Sequence, residues 1–377
     1  MTQGAKSGRA LVLEAPRKLV SRDFALPEIG DDEGLLRVEA CGLCGTDHEQ
    51  YSGDLSGGFA FVPGHETVGI LEHVGSAAAR RWGVAPGDRV AVEVFQSCRV
   101  CDACIRGEYR RCARHGIGDM YGFISADRAP GLWGGYAEYQ YLGPDSMLLP
   151  VPSRLDPVTA TIFNPLGAGI RWGVTLPETA PGEVVAVLGP GIRGLCAAAA
   201  AKEAGAGFVM VTGLGPRDRE RLELAPLFGA DLAVDVSQQD PVSALRSAAG
   251  SLADVVVDVT AKAAAAFAQA IALAKPAGRV VVAGTRGTKL VQGFSPDPIV
   301  FKELRLIGAL GVDAAAYTVA LDLLSSGRYP FEGLPRRVAG LDDADELLAT
   351  MAGESAGAPP VHGVIVPALM DRDGRTT

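Results

Sequence analysis

The segment VVAVLGPGIRGLCAAAAAKEAG, residues 184–205, decides the fold of this chain. Its first five residues are apolar and predict a buried strand, and its alanine-rich second half predicts a helix. The turn between them contains Gly189, Gly191 and Gly194, together with Ile192 and Arg193. Without Cβ atoms, such a turn can bring backbone N–H groups and the positive end of the helix against a pyrophosphate. We predict a dinucleotide site here; the alternative is a close helix–strand crossing, which any parallel sheet can contain.

The same alternation of strand and helix continues downstream. Valine-rich runs separated by helical segments follow the glycine turn: FVMVT, LAVDV, DVVVDVT and RVVVAG. Continuous apolar strands of this kind are typical of a parallel sheet with helices on both faces. We predict a doubly wound α/β domain over residues 164–312.

The remainder of the chain differs in composition and in predicted secondary structure. Residues 1–163 are rich in glycine, turns and short β-type runs such as RALVLEA and DRVAVEVF, which predict an all-β, barrel-like domain. Residues 313–377 contain amphipathic helices and a final strand, HGVIVP, and we expect them to pack back onto the first domain. The segment MDRDGRTT, from Met370 onward, has charges and no apolar partner, so we expect it to be disordered. A length of 377 residues also favours two domains.

Composition restricts the partners and the compartment. The formal charge is −9, which argues against nucleic-acid binding because phosphate backbones require a basic footprint. No apolar run approaches the roughly 20 residues of a membrane span, and the N-terminus lacks the apolar core of a signal peptide. We expect a cytoplasmic protein without a membrane partner.

Four cysteines lie close together in CRVCDACIRGEYRRC: Cys98, Cys101, Cys104 and Cys112. The spacing C-x2-C-x2-C-x7-C lets four thiolates reach one Zn²⁺ at about 2.3 Å, and a closed tetrahedral shell indicates a structural zinc. We place this zinc lobe at about residues 94–115. Two disulfides and an iron–sulfur cluster are the alternatives, although ferredoxin-type runs have a different last spacing.

A second metal constellation is split between CGLCGTDHEQYSGD, residues 41–54, and GHETVGILEHVG, residues 64–75. A thiolate at Cys44 and an imidazole at His65 would supply two ligands of a zinc that keeps a position open for substrate. Asp47 and Glu66 flank them, and these carboxylates could orient the histidine or bind the ion. For His65 alone, an ordinary buried histidine would be the better interpretation.

The choice of dinucleotide depends on the end of the second strand of the parallel sheet. An acid there would bind the ribose hydroxyls of NAD, but FVMVT is followed by Gly213. Arg217 and Arg219 follow in GLGPRDRER and suit a 2′-phosphate. We predict a preference for NADP over NAD; the alternative for the two arginines is an ordinary solvated helix start.

Taken in order, these motifs resemble the zinc-dependent medium-chain dehydrogenase/reductase superfamily, the alcohol and polyol dehydrogenases. The resemblance covers nearly the whole chain and includes GGYAEY at Gly134 to Tyr139. It implies a GroES-like catalytic domain built from both chain ends, a central Rossmann domain and an active site in the cleft. It also implies homodimers or homotetramers assembled through the Rossmann sheet, one structural and one catalytic zinc, and NADP or NAD as coenzyme.

The resemblance also implies roles for individual residues. Cys44 and His65 become catalytic zinc ligands, and Glu66 becomes a ligand or a close neighbour of the ion. Thr46 matches the hydroxyl that passes the substrate proton outward, and Asp47 matches the carboxylate bonded to the zinc-bound histidine. The expected reaction is hydride transfer from an alcohol to the nicotinamide, or its reverse on a ketone or aldehyde.

Three positions depart from the family pattern. Asn164 precedes Pro165 where the family has a Cys or Glu zinc ligand, so it either coordinates the ion or caps a helix. Glu49, with His48 before it, stands where a histidine usually ends the proton relay, and both could instead be surface residues. Arg193 replaces the β-branched residue that normally packs behind the nicotinamide; it could bind pyrophosphate, an anionic substrate or only solvent.

The substrate class is less constrained. A secondary alcohol, polyol or sugar is the leading expectation, and Glu93 favours hydroxyl-rich substrates because polyol-type members often have an acid there. Phe95 and Trp133 are candidates for the substrate pocket. A zinc-independent NADPH-dependent reductase of the same fold and a catalytically silent dinucleotide-binding protein are the alternative functions.

Overall fold

The structure is a computed structural model that describes residues 6–55, 58, 60–287, 290–291, 294–356 and 359–369. It separates into two compact units. The first comprises Met1–Phe163, Leu324–Ser326 and Glu332–Thr377, and the second comprises Asn164–Leu323 and Gly327–Phe331. The segment predicted to be disordered, from Met370 onward, lies outside the described residues.

The strands of the described residues have the following bounds: β1 Ser7–Ala15, β2 Lys18–Ala25, β3 Gly34–Leu43, β4 Glu66–Val74, β5 Arg89–Val92, β6 Tyr139–Leu142, β7 Leu148–Pro150, β8 Val184–Leu188, β9 Phe208–Gly213, β10 Leu232–Asp235, β11 Ala253–Asp258, β12 Ala274–Val282, β13 Arg305–Gly308, β14 Arg336–Ala339 and β15 His362–Ile365.

The α-helices of the described residues are α1 Gly45–Ser52, α2 Ser76–Trp82, α3 Asp102–Ile105, α4 Pro157–Ala160, α5 Phe163–Ile170, α6 Ile192–Glu203, α7 Gly215–Leu224, α8 Pro241–Ala249, α9 Ala264–Leu273, α10 Asp297–Phe301, α11 Ala314–Ser326 and α12 Ala344–Ala352. A π-helical turn, Arg171–Thr175, continues α5. Short 3₁₀ turns lie at Tyr109–Arg111, Ile117–Asp119, Ala225–Phe228, Phe331–Gly333 and Leu341–Asp343.

The second unit is built on a parallel sheet. Within the described residues its six strands have the order β10-β9-β8-β11-β12-β13, and every neighbouring pair is parallel. Apart from Val184, which is partly exposed, the valines of β8, β9 and β11 are buried on both faces, since helices cover the sheet. This order, in which the chain reverses direction across the sheet next to β8, confirms the prediction of a doubly wound domain.

The first unit is built on a mainly antiparallel sheet. Its described strands have the order β14-β15-β3-β4-β5-β7, with β6 paired to β3, and β1 and β2 form a separate hairpin. Strand β15, near the C-terminus, pairs with β3 near the N-terminus, so both ends of the chain contribute to one sheet. The core between these strands is apolar and includes Leu36, Tyr136 and Leu347.

The compact units and the predicted domains divide the C-terminal part of the chain differently, since residues 313–323 and 327–331 belong to the second unit. The first boundary lies between Phe163 and Asn164, where the sequence places it. The second unit, however, extends through Leu323 and so includes most of α11, which we assigned to the return segment that begins at residue 313. The assignment of residues 1–163, 164–312 and 313–377 to three parts stays a prediction.

Candidate active site

Three buried side chains converge where α1 and β4 begin. One ligand atom each from Cys44, His65 and Glu66 lies within 4.8 Å of the other two, and the residues are 6%, 6% and 1% exposed. The Cys44 Sγ–His65 Nε2 distance is 3.3 Å. Tetrahedral zinc with Zn–S of about 2.3 Å and Zn–N of about 2.05 Å would separate sulfur and nitrogen by about 3.6 Å. Sulfur, imidazole and carboxylate donors at this spacing therefore fit a zinc ion.

Asp47 organises the other side of this cluster. Its Oδ2 accepts a hydrogen bond of 2.9 Å from the Cys44 backbone N–H, and its Oδ1 lies 3.6 Å from His65 Nδ1. Because Cys44 is the N-cap of α1, its thiol lies at the positive end of that helix. His65 Nε2 faces the sulfur while Nδ1 faces the carboxylate. This is the orientation expected of a metal-binding histidine whose other ring nitrogen contacts a carboxylate.

Glycines explain how the chain packs so closely here. A Cβ built on Gly42 would lie 2.5 Å from Glu66 Oε2, and one on Gly64 would lie 2.5 Å from the ring of Tyr136. Gly135, from the GGYAEY segment, would clash in the same way with Thr67 and with the sulfur of Cys41. The glycines in these motifs therefore make room for the ligand carboxylate and its neighbours.

Cys41 and Tyr136 border the cluster without belonging to it. Burial raises the pKa of both side chains well above their ordinary values, and the nearby Asp47 carboxylate raises them further. Both therefore remain neutral, and Cys44 is the sulfur that the structure places within reach of His65.

The predicted proton-relay residues all lie on α1. Thr46 is in its first turn and is partly buried, as is Glu49. His48 Nε2 lies 3.0 Å from Glu354, which also pairs with Arg17 at 2.7 Å. Hydrogen bonds from Arg17 and His48 lower the pKa of Glu354 to about 2, so its carboxylate stays charged and holds the imidazole. His48 thus has a defined partner within the first unit, which the sequence did not indicate.

The four cysteines of the lobe converge as well. Each offers a sulfur within 4.8 Å of the others, and Cys98 Sγ and Cys104 Sγ are 3.8 Å apart. A zinc tetrahedron with bonds of about 2.3 Å has edges of about 3.8 Å, whereas a disulfide bond is about 2.05 Å long. All seven cysteines are free thiols in the structure, so the disulfide alternative is not supported.

The thiols of the lobe differ in pKa when no cation is bound. Hydrogen bonds from the backbone N–H groups of Ala113 and Cys104 lower the pKa of Cys101 to about 6. Burial raises the pKa of Cys104 to about 11. A bound dication would offset the cost of ionising the buried thiol, which is the behaviour expected of a structural zinc site.

We expect Cys112→Ser to remove one zinc per chain and to lower the unfolding temperature by roughly 5 °C or more, because a closed metal site stabilises the loop around it. Metal analysis and thermal unfolding measure both effects. Arg111→Ser, at the exposed neighbouring position, is the matched control and should retain both zinc and stability. An unchanged zinc content in Cys112→Ser would contradict the assignment.

Other residues suggested by the sequence are buried: Glu93 and Phe95 lie beside this lobe, and Trp133 lies in the main core of the first unit. Glu93 is fully buried: its Oε2 accepts 2.7 Å from the Tyr109 hydroxyl and its Oε1 accepts 3.1 Å from Phe95 N–H. Phe95 packs with Tyr109 and Met120. Trp133 is buried and donates 2.8 Å to the Arg128 carbonyl. Glu93 therefore connects the lobe to the sheet. This structural role means that Glu93 does not indicate a hydroxyl-rich substrate.

The glycine turn has the shape of a phosphate-binding turn. Gly189 has φ of +102°, and a Cβ on Gly194 would lie 1.8 Å from the Gly189 carbonyl oxygen, so both positions require glycine. A Cβ on Gly191 would meet nothing within 4 Å. The first and last glycines thus let strand and helix pack tightly, while the middle one leaves open space beside the N-terminus of α6. That space fits a pyrophosphate.

The chain is closely packed at Gly213, the last residue of β9, where we expect the adenosine ribose to bind. A Cβ on Gly213 would lie 2.9 Å from Pro190 of the glycine turn. The next two N–H groups are occupied: Leu214 donates 2.9 Å to Asp218 and Gly215 donates 2.8 Å to Asp235. Arg217 and Arg219 are exposed on the first turns of α7. These two carboxylates were not predicted from the sequence, because Asp218 lies within α7 and Asp235 ends β10, whereas such an acid is sought at the end of the second strand, β9.

Asn164 does not cap a helix as we expected. It is the second residue of α5, and its Nδ2 donates a hydrogen bond of 2.9 Å to the hydroxyl of Tyr317 on α11. The ring of Tyr317 packs so closely on α5 that a Cβ on Gly167 would lie 2.4 Å from it. The amide is therefore held by a tyrosine 153 residues away, and no local sequence signal indicates this contact.

His362 on β15 is a further residue that the sequence analysis missed. The Thr161 hydroxyl donates 2.7 Å to the Val158 carbonyl, so its oxygen accepts from His362 Nε2 at 3.2 Å. Thr161 in turn lies against Gly42, beside the carboxylate of Glu66. Burial, with a smaller contribution from Arg336, lowers the pKa of His362 to about 3. The imidazole is therefore neutral and buried.

This histidine should make the fold sensitive to acid. The unfolded state takes up a proton below about pH 6.5, but the folded state does not until about pH 3. The free energy of unfolding should therefore fall by up to about 1.4 kcal/mol per pH unit between these values. In His362→Gln, whose amide can still donate to Thr161, we expect a smaller loss of stability between pH 6 and pH 4. Denaturant unfolding at several pH values measures this, and equal slopes in both proteins would contradict it.

Comparison with known proteins agrees with this geometry. The alcohol dehydrogenase GroES-like domain model matches residues 30–153, and the zinc-binding dehydrogenase model matches residues 194–326. A Mycobacterium tuberculosis protein (strain CDC 1551 / Oshkosh), named a probable alcohol dehydrogenase, is 74% identical over 360 residues, covering 95% of this chain and 98% of the relative. The chain belongs to the zinc-binding alcohol dehydrogenase family.

Two further relatives illustrate the breadth of the family. This alcohol dehydrogenase is 31% identical over 280 residues to the sorbitol dehydrogenase of Bacillus subtilis (strain 168), covering 73% of the chain and 74% of the relative. A zinc-binding dehydrogenase from Sinorhizobium meliloti 1021, solved with NADP bound, is 30% identical with a TM-score of 0.80, covering 96% and 100% of the two chains. The predicted combination of a GroES-like and a Rossmann domain is thus confirmed, and the alcohol dehydrogenase is an oxidoreductase of the medium-chain type.

None of the helices in the described part of the chain has the length and apolar character that a membrane span requires. The cytoplasmic location stays a prediction.

Proposed function

We propose that this chain is a zinc-dependent, NAD(P)-linked dehydrogenase that oxidises a secondary alcohol, polyol or sugar, or reduces the matching ketone or aldehyde. The observation that carries the proposal is the buried cluster of Cys44, His65 and Glu66, with ligand atoms within 4.8 Å of one another. The family membership and the sorbitol dehydrogenase relative support the substrate class. Alcohol oxidation removes a hydride, which the oxidised nicotinamide accepts, and a proton, which leaves to water.

The residues of the cluster have distinct tasks in this proposal. A zinc ion held by Cys44, His65 and Glu66 would act as a Lewis acid that lowers the pKa of a hydroxyl. Asp47, 3.6 Å from His65 Nδ1, holds the imidazole in its ligand orientation. Thr46, in the first turn of α1, is the hydroxyl that passes the substrate proton outward. His48 or Glu49, farther along the same helix, receives it, and the contact with Glu354 holds the His48 ring in place.

Asn164 is not a zinc ligand in this proposal. Glu66 already supplies a third protein donor beside Cys44 and His65, and the Asn164 amide donates a hydrogen bond to the Tyr317 hydroxyl. We therefore place Asn164 outside the ligand set.

NADP is the proposed coenzyme. The neutral, sterically restricted Gly213 provides no carboxylate to repel a 2′-phosphate, and the Sinorhizobium meliloti relative binds NADP. Because Asp218 and Asp235 already occupy the N–H groups of Leu214 and Gly215, the phosphate would be bound by the side chains of Arg217 and Arg219. A higher kcat/KM with NADP than with NAD is expected, and a strong preference for NAD would contradict it.

We further propose a dimer or tetramer assembled through β13. This strand ends one side of the described parallel sheet, and the apolar residues around it are exposed: Val300, Phe301, Leu306 and Leu310. An edge strand with apolar neighbours is suited to pairing with a second copy. Light scattering after size-exclusion chromatography measures the mass, and a monomer at micromolar concentration would contradict the proposal.

The principal experiment joins metal removal to a substrate panel. Protein dialysed against a chelator is assayed with alcohols, polyols and sugars by the absorbance of reduced nicotinamide, and zinc is then added back. We expect activity to disappear with one zinc per chain and to return with it. Full activity in the zinc-depleted protein would favour a zinc-independent reductase, and inactivity of the zinc-loaded protein on every substrate would favour a catalytically silent binding protein.

A further inference from the structure

Arg193 is held in a defined position inside the glycine turn. It is the second residue of α6, directly after Gly191 and Ile192. Its guanidinium carbon lies 5.3 Å from the centre of the Trp172 ring, within the range of a cation–π contact. The side chain is therefore directed toward the π-helical turn Arg171–Thr175.

Trp172 is itself attached to one half of the parallel sheet. Its indole N–H donates 3.0 Å to the Gly311 carbonyl, in the segment that follows β13. The neighbouring Arg171 donates 2.8 Å to Asp313 in the same segment. The turn thus lies against the segment that follows the carboxyl end of β13, and it also packs on β11. The contact with Trp172 therefore places the charge of Arg193 on that side of β8.

The strand order assigns the two halves of the sheet to the two halves of a dinucleotide. The order reverses next to β8, and a dinucleotide bound at such a switch point spans it, with the adenosine ribose at the end of the second strand, β9. The nicotinamide then belongs to the half formed by β11 to β13. Arg193 consequently contributes its charge on the nicotinamide side of the pyrophosphate.

The oxidised nicotinamide ring carries a positive charge, and the reduced ring does not. A fixed cation on this side of the site disfavours the oxidised form and leaves the reduced form unaffected. We propose that Arg193 makes this protein bind reduced coenzyme more tightly than oxidised coenzyme. The proposal rests on the dinucleotide binding put forward above and deepens it, because it assigns a redox-state preference to one residue.

The size of the effect follows from Coulomb's law. Two unit charges on the order of 10 Å apart, at an effective dielectric constant of about 20, change a binding constant by roughly tenfold. A guanidinium that only contacts the pyrophosphate would behave differently, since both redox forms carry the same phosphates. The ratio of the dissociation constants of oxidised and reduced coenzyme therefore distinguishes a redox-state preference from simple pyrophosphate binding.

The test is a set of titrations with the full-length protein. Dissociation constants for NADPH, NADP⁺, NADH and NAD⁺ are measured by nicotinamide fluorescence and calorimetry for the wild type, Arg193→Met and Arg193→Lys. We expect Arg193→Met to reduce the preference for the reduced forms by roughly tenfold and Arg193→Lys to retain most of it. Arg193→Gln provides a second neutral variant if the methionine variant does not fold.

Two results would overturn the inference. Equal weakening of both redox forms in the neutral variants would make Arg193 a phosphate ligand only, and unchanged constants would give it no role in binding. Both leave the proposed dehydrogenase function intact. A wild-type protein that binds none of the four dinucleotides would instead remove the proposed function and this inference together.

Discussion

Cys44→Ser loses its exchangeable zinc and at least roughly 10³-fold in kcat/KM, because removing a Lewis acid costs several kcal/mol of transition-state stabilisation. The thiol lies 3.3 Å from His65 Nε2 and at the positive end of α1, and serine offers a poorer donor there. The lobe zinc and the fold should be unaffected, since Cys98, Cys101, Cys104 and Cys112 form a separate cluster. Metal analysis before and after dialysis, together with steady-state kinetics, measures the outcome.

Cys41→Ser is the matched control for this experiment. Cys41 is buried beside the same cluster, but its sulfur contacts Thr67 at 3.7 Å and the Gly42 carbonyl at 3.6 Å rather than the ligand set. We expect this variant to keep both zincs and most of its activity. Wild-type turnover in Cys44→Ser would reject a zinc mechanism that depends on this thiolate.

Gly191→Ala is expected to lower dinucleotide affinity by roughly 100-fold while leaving the fold intact. The backbone at Gly191 is extended, with φ of −68°, and an added methyl group would meet nothing within 4 Å. The methyl group would therefore clash only with a bound pyrophosphate, and so it would lower dinucleotide affinity without changing stability. Fluorescence titration with NADPH and thermal unfolding measure the two properties separately.

Gly194→Ala provides the contrasting variant. Its methyl group would lie 1.8 Å from the Gly189 carbonyl oxygen, so we expect destabilisation of roughly 3 kcal/mol or more in addition to lost binding. A Gly191→Ala protein that binds NADPH like the wild type would show that the open space beside α6 does not receive the coenzyme.

Most of the candidate functional groups could be predicted from the spacing of residues that are neighbours in sequence. The pattern C-x2-C-x2-C-x7-C predicts convergence of four sulfurs, and the structure brings them within 4.8 Å. The glycine turn likewise follows from its position between an apolar strand and a helix. Such signals are readable because a tight turn or a closed metal loop constrains residues that are neighbours in sequence.

Contacts between distant segments were not readable in this way. The sequence suggested Asn164 as a zinc ligand or a helix cap, and Glu93 as a sign of polyol substrates. In the structure, Asn164 is hydrogen-bonded to Tyr317 and Glu93 to Tyr109. His48 meets Glu354, 306 residues away, and His362 meets Thr161. Each partner is an ordinary residue in its own segment, so no pattern marks it.

The sequence by itself determined the doubly wound sheet, the dinucleotide turn and the candidate metal donors, because each depends on periodicity or on short fixed spacings. Only the tertiary structure decided which neighbours those donors have and where the charge of Arg193 lies. The physical reason is that hydrogen bonds and ring contacts of this kind depend on a few tenths of an ångström between elements far apart in the chain. Those separations arise only once the sheets and helices have packed.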